Sequence, residues 1–157
     1  MDARLNLMAS KSSERFLKQL VGAGRAIPEA ALPMATQELV RLRASQINGC
    51  GFCTDMHTKE ALAAGETQTR LNLVAAWREA TVFTDAERAA LELAEQGTRT
   101  ADAAGGVTDE AWADAAKHYD EDGLAALVAV IAVINAFNRL NVMVRQPAGS
   151  YEAGMFG

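Results

Sequence analysis

Apolar residues in this chain recur at three- and four-residue intervals, and the strict alternation of a half-buried strand is nearly absent. Alanine is abundant and proline occupies only three positions, a composition that favours helix. The pattern predicts an all-α bundle of about seven helices. A first helix is expected over Ser10 to Gly24. Pro28 and Pro33 bracket a connector, with Pro33 suited to the first turn of a second helix ending near Ile47. "NGCG" interrupts the chain before a third helix, which stops at Gly65. A fourth is expected over "TQTRLNLVAAWRE", with Leu71, Val74 and Ala75 on one face. "TDAERAALELAEQ" opens a fifth on Thr84, with Glu87 three residues on as a capping box. "GGVTDEAWADAAKHY" restarts after glycines with Thr108 or Asp109 as N-cap. The most apolar stretch, "GLAALVAVIAVINAFNRLNVMV", forms the last helix to about Val144, and Pro147 ends regular structure.

Length and charge narrow the class. A chain of 157 residues, half hydrophobic and 22% charged, can bury a real core, and one domain spanning residues 1–157 is expected. Fifteen basic against twenty acidic residues give a net charge of −5, which argues against nucleic acid as a partner. The N-terminus has an acid at position 2 and no apolar h-region, so no signal peptide is read. Residues 123–144 approach the length of a membrane span. Asn135, Asn138, Arg139 and Asn141 interrupt them, and polar groups at membrane depth are costly. A buried or interface helix is the better reading, in a cytoplasmic protein without a membrane partner. A long apolar helix in a small domain also predicts self-association.

Both cysteines and one of the two histidines fall in "CGFCTDMH", at Cys50, Cys53 and His57. In a reducing compartment such a pair points to catalysis or metal binding. With Asn48 as cap of the third helix, Cys50 sits in its first turn and Cys53 one turn further. Positions i, i+3 and i+7 lie within about 60° of one another, so all three share a face. A thiol in the first turn meets unpaired N–H groups and the positive end of the helix dipole, which favour the thiolate. His57 is placed to move a proton, and the cysteines are near enough to close a disulfide on oxidation. A zinc site is a competing reading, with Glu38 or His118 as a fourth ligand. No second CxxC, CxxH or HxxxH accompanies it.

Glu38 lies on the second helix among Leu39, Val40, Leu42 and Ile47, which must face inward. As a surface acid it would pair with Arg41 or Arg43; brought against His57 by an antiparallel neighbour, it would orient the imidazole and raise its basicity. Periodicity does not separate the two. His118 reads as a solvated histidine at a helix end, and Trp77 and Trp112 as core or interface anchors. Asn135 and Asn138 need hydrogen-bond partners if buried, either at the site or as core amides.

The segment "ELVRLRASQINGCGFCTDMHTKEALAAGE" resembles the core motif of the AhpD-like alkylhydroperoxidases of the carboxymuconolactone decarboxylase superfamily. That motif is a Glu, eleven residues, then Cys-x-x-Cys-x-x-x-His, and Glu38, Cys50, Cys53 and His57 match it. The similarity continues through "LNLVAAWREATVFTDAERAALELAE" and "VAVIAVINAFNRLNV". The resemblance implies an AhpD-like all-α fold, assembled as a homo-oligomer (a trimer or hexamer), and thiol-dependent reduction of a hydroperoxide substrate. It implies that Cys53 becomes the sulfenic acid, that Cys50 donates a proton and resolves it, and that Glu38 and His57 form the relay. It also implies an external dithiol reductant, a lipoyl adaptor or thioredoxin-like protein, and a peroxiredoxin as a possible client. No cofactor is implied. Some alkylhydroperoxidases carry a further histidine between the cysteines; Gly51 and Phe52 stand here. The superfamily's true decarboxylases lack the CxxC pair, which argues against the cofactor-free lactone decarboxylase alternative. A redox sensor needs the same thiols and stays open.

Overall fold

The structure, a computed structural model, describes residues 2–102 and 105–156. Among the described residues there is no strand. Seven α-helices follow in order: α1 Lys11–Arg25, α2 Met34–Ile47, α3 Gly51–Ala63, α4 Gln68–Leu73, α5 Asp85–Thr98, α6 Asp109–Ala115 and α7 Glu121–Val144. The all-α bundle of about seven helices expected from the sequence is present. Its caps are the predicted ones at two places: Thr108 caps α6 through the Ala111 N–H, and Thr84 and Glu87 close a reciprocal capping box on α5. α1 starts one residue later than expected, with Ser10 at the N-cap position. Pro33 falls at the N-cap of α2 instead of inside its first turn.

α2 is the centre of the bundle, packed against α3, α5 and α7. It buries Thr36, Gln37, Glu38 and Ser45 together with Leu39, Val40, Leu42 and Ala44. A helix covered on all sides has no solvent face to define an apolar stripe, and this is why periodicity left Glu38 undecided. Ile47, expected inside, is half-buried. One core joins Leu32 and Val40 to Ala90 and Leu93 of α5 and Leu127 and Val130 of α7. A second gathers Leu39, Leu42, Leu71, Trp77, Phe83 and Leu91. Each such aliphatic side chain contributes about 1.5–3 kcal/mol by leaving water.

The fourth helix is shorter than its sequence suggested. It stops at Leu73 and tightens into a 3-10 turn, Val74–Ala76. Leu71, Val74 and Trp77 are buried and Ala75 is exposed. That three-residue spacing is the period of a 3-10 helix, so the tighter winding keeps Trp77 directed inward. Arg88 satisfies the carbonyls freed there, donating to those of Trp77, Arg78 and Ala80 at 3.0 Å each. α6 also ends early, at Ala115, and residues 116–118 form a turn. Trp112, expected as an anchor, is 44% exposed.

α7 is long and apolar enough to cross a membrane by length and composition. Asn135 and Asn138, however, are buried and paired inside the protein. Beyond α7, Arg145 adopts a left-handed conformation (φ 54°). The tail then runs back over α3. Gly149 N–H donates to Asp55 (2.8 Å), Lys59 donates to the Tyr151 carbonyl (2.8 Å), and Tyr151 OH donates to Glu60. Tyr151 meets Phe52 edge-on, with ring centroids 6.2 Å apart.

Candidate active site

The corner between α2 and α3 is built by "NGCG". Asn48 is the last residue of α2's final turn, and Gly49 follows at φ 65°, a backbone conformation that glycine adopts without a Cβ clash. The Gly49 N–H then reaches the Gln46 carbonyl (3.2 Å) and the Cys50 N–H the Ser45 carbonyl (3.0 Å), a Schellman ending. The N-cap of α3 is therefore Cys50 and not Asn48, because three residues suffice to turn the chain. The Cys50 sulfur accepts the Cys53 backbone N–H at 3.4 Å. Asn48 instead sends its amide into the protein, donating to Oδ1 of Asn135 and of Asn138 at 2.9 Å each.

Cys50 and Cys53 are free thiols packed with Ala44 and Ile134. Cys50 is 2% and Cys53 0% exposed. The Cys53 thiol donates to the Cys50 sulfur and brings the Cys50 thiol down to about 7; burial opposes this, and the Cys53 backbone N–H and the Asn138 amide reinforce it. That same bond pushes Cys53 up, as do burial and the neighbouring Cys50 charge, while the amides of Asn141 and Asn138 pull against them. Cys50 is the more acidic of the two thiols, and Cys53 the one that holds its proton. This agrees with the position of Cys50 at the positive end of α3.

His57 lies one turn beyond Cys53 on α3 and is 7% exposed. Its Nδ1 meets Glu38 Oε2 at 2.8 Å. Glu38 Oε1 accepts from Arg41 at 2.5 Å, and Arg41 also donates to Gln37 Oε1 at 2.7 Å. Gln37 is fixed in turn by the Leu32 carbonyl, 2.8 Å from Nε2. Burial raises the Glu38 carboxyl, but the His57 hydrogen bond, His57 charge and Arg41 together hold it below its usual range. Glu38 is buried and engages Arg41 and His57 at once, one with each oxygen. Arg43 goes elsewhere, to Glu95 (2.6 Å).

Glu38, Cys50, Cys53 and His57 therefore meet where α2 and α3 adjoin. His118 does not join them; it is exposed beyond α6. Among the described residues no three His, Cys, Asp or Glu side chains converge to hold a metal ion. Sequence reasoning named Arg41 as a partner of Glu38 but missed two residues. Gln37 braces Arg41, at a helical spacing that any surface pair shares. Asn141 donates to the Cys53 sulfur at 3.2 Å; the signal was the recurrence of asparagine at 135, 138 and 141 along the most apolar helix.

Residues 13–96 match the carboxymuconolactone decarboxylase family. An uncharacterized Bacillus subtilis protein, YdfG, is 38% identical over 122 residues, which is 78% of this chain and 82% of that one. Among solved structures, a protein of unknown function from Agrobacterium tumefaciens, ATU0492, described as a putative antioxidant defence protein AhpD, superposes with a TM-score of 0.87 at 31% identity. The match covers 96% of this chain and all of that one. The debrominase Bmp8 shares the fold at a TM-score of 0.78 and 18% identity, over 92% of this chain and 75% of its own. With the helical bundle and the Glu–Cys–Cys–His constellation already in hand, the class is that of AhpD-like proteins. The chain belongs to the carboxymuconolactone decarboxylase family.

Proposed function

We propose that this protein is a thiol-dependent hydroperoxide reductase working through Cys50, Cys53, Glu38 and His57. The observation that carries the reading is the placement of the two sulfurs: Cys50 caps α3, its sulfur accepting the Cys53 backbone N–H at 3.4 Å, and it is the more acidic thiol of the pair. As Cys53 attacks the terminal oxygen of ROOH, its proton passes to Cys50. The O–O bond breaks, Cys53 becomes a sulfenic acid, and the alkoxide leaves as ROH with the proton returned by Cys50. The Cys50 thiolate then displaces hydroxide from Cys53–SOH. A proton from His57, held by Glu38, converts the hydroxide to water, and a disulfide remains. Two thiols and ROOH have become disulfide, ROH and water. An external dithiol restores the pair by exchange, and a lipoyl adaptor or thioredoxin-like protein suits that role, with a peroxiredoxin as a further client. The exposed Val128, Val142 and Met143 along α7 support a homo-oligomer, trimer or hexamer. Free thiols suit a cytoplasmic setting.

Stopped-flow mixing of the reduced protein with cumene hydroperoxide, followed by thiol counting and intact mass, tests this. The expected outcome is loss of both thiols, a mass lower by about two hydrogens, and rescue by dihydrolipoamide. Cys53→Ser should abolish turnover. Retention of both thiols, or activity that survives Cys53→Ser, would sink the reading; the second result would favour a lactone enzyme. Disulfide that forms but turns over too slowly for a cycle would make the pair a sensor.

A further inference from the structure

The reaction leaves the asparagines of α7 unexplained. Asn135, Asn138 and Asn141 stand at three-residue intervals, and the first two fix the third. Asn135 donates through Nδ2 to Thr98 Oγ1 (3.0 Å) and the Ile131 carbonyl (2.9 Å). Asn138 donates through Nδ2 to Ser45 Oγ (3.1 Å). Both amide oxygens are thereby turned to the single donor Asn48 Nδ2, at 2.9 Å each. Asn48 is the corner residue immediately before Gly49 and Cys50, so α7 is pinned in register against the turn that carries the first sulfur. One turn further along α7, Asn141 has no freedom to slide, and its amide stands 3.2 Å from the Cys53 sulfur.

The side of Asn141 that faces Cys53 is Nδ2, so the amide donates and a lone pair of the sulfur accepts. Such a bond to a neutral thiol is weak. To a sulfur gathering negative charge it is a charge-assisted bond, about twice as strong as a neutral one. It strengthens as the reaction proceeds, which is the requirement for accelerating a chemical step.

We propose that Asn141 is a further catalytic residue of the pair: its Nδ2–H stabilises the charge that gathers on Cys53 as the thiol proton leaves for Cys50, and so directs the peroxide oxygen to the buried sulfur. The inference rests on the hydroperoxide reading above. Asn138 directs its Nδ2 to Ser45, whereas Asn141 directs its own to Cys53. This accounts for how the thiol that holds its proton at rest becomes the one that is oxidised.

The test uses the full chain and its Cys50→Ser form, in which Cys53 is the only thiol. Two rates are measured at one pH: sulfenic acid formation with cumene hydroperoxide, trapped by dimedone and read by mass, and alkylation by iodoacetamide. Asn141→Leu, which keeps the volume and removes the donor, should slow both about tenfold or more. Asn141→Asp, of the same shape but with an acceptor in place of the donor, should slow them at least as much, and Asn141→Gln should recover part of the rate. Circular dichroism checks that each variant is folded. Leucine and aspartate variants within twofold of the parent, in a protein whose full chain still loses both thiols, would overturn this inference alone. A full chain that keeps both thiols under peroxide would overturn the reductase reading and the direction of oxygen with it.

Discussion

At the scale of single residues, a cysteine replaces the usual Ser, Thr, Asp or Asn as a helix N-cap. Cys50 is therefore both the structural cap and the more acidic thiol of the pair, and its acidity is in part a product of its capping. Iodoacetamide should take its first equivalent at Cys50, with a rate that rises through about pH 7 and falls away below it, because the thiolate is lost there. Peptide mapping of the first adduct checks this, and a first adduct on Cys53 would contradict it. Glu38 gives a second pH signature. Its carboxyl is held below the ordinary value of 4.5, so its stabilising contribution is complete above that value and is lost as pH falls through the lower folded value. Denaturant titrations should show the parent losing stability on acidification more steeply than Glu38→Gln. At neutral pH that variant should itself be weaker by about 1–3 kcal/mol, the cost of a charged hydrogen bond removed from a buried site. Equal acid sensitivity in the two proteins would mean that the relay is not held in its charged form.

At the scale of elements, the turn between α2 and α3 has little slack. Gly49 stands at positive φ with open space around its missing Cβ, so Gly49→Ala costs backbone strain and meets no clash. It should destabilise by about 1–2 kcal/mol, read by urea unfolding, and displace the Cys50 cap. Gly22→Ala is the counterpart: Gly22 lies inside α1 with nothing within 4 Å of a new Cβ. That change should stabilise by about 0.5–1 kcal/mol. Opposite signs at two unobstructed glycines would isolate backbone conformation as the cause. Helix ends were legible in the sequence wherever side chain and backbone cooperate, as at Thr84 with Glu87 and at Gly65, which has φ 96°. The early end of α4 was not, since the turn that follows it is held by Arg88 of the next helix, on the carbonyls of Trp77, Arg78 and Ala80, and no local pattern records so distant a donor. Cys50, Cys53 and His57 could be grouped from their spacing, and Glu38 was added only by resemblance to the family motif, whereas Asn141, 88 residues from Cys53, could be seen only once α7 was laid beside α3.

At the scale of the whole molecule, the tail after α7 connects parts that otherwise have little to do with one another. α1 packs on the 3-10 turn Leu7–Ala9 before it and on α7, yet Arg25 at its end donates to the Phe156 carbonyl at 2.6 Å. The same tail is tied to α3 through Asp55, Lys59 and Glu60, and Phe156 closes a triangle of rings with Phe52 and Tyr151. Phe52 lies between the two cysteines in sequence. The tail thus acts as a clasp between the first helix and the one that carries the sulfurs, with Tyr151 as its buried pin. Local stability in proteins is lost in cooperative blocks, and a clasp makes one block of two distant segments. Amide hydrogen exchange should therefore report residues 11–25 and the first turns of α3 opening together, and Tyr151→Ala should hasten both while the α2–α5 core keeps its protection. The first helix, which supplies no atom to the chemistry, would then share the opening lifetime of the cysteines.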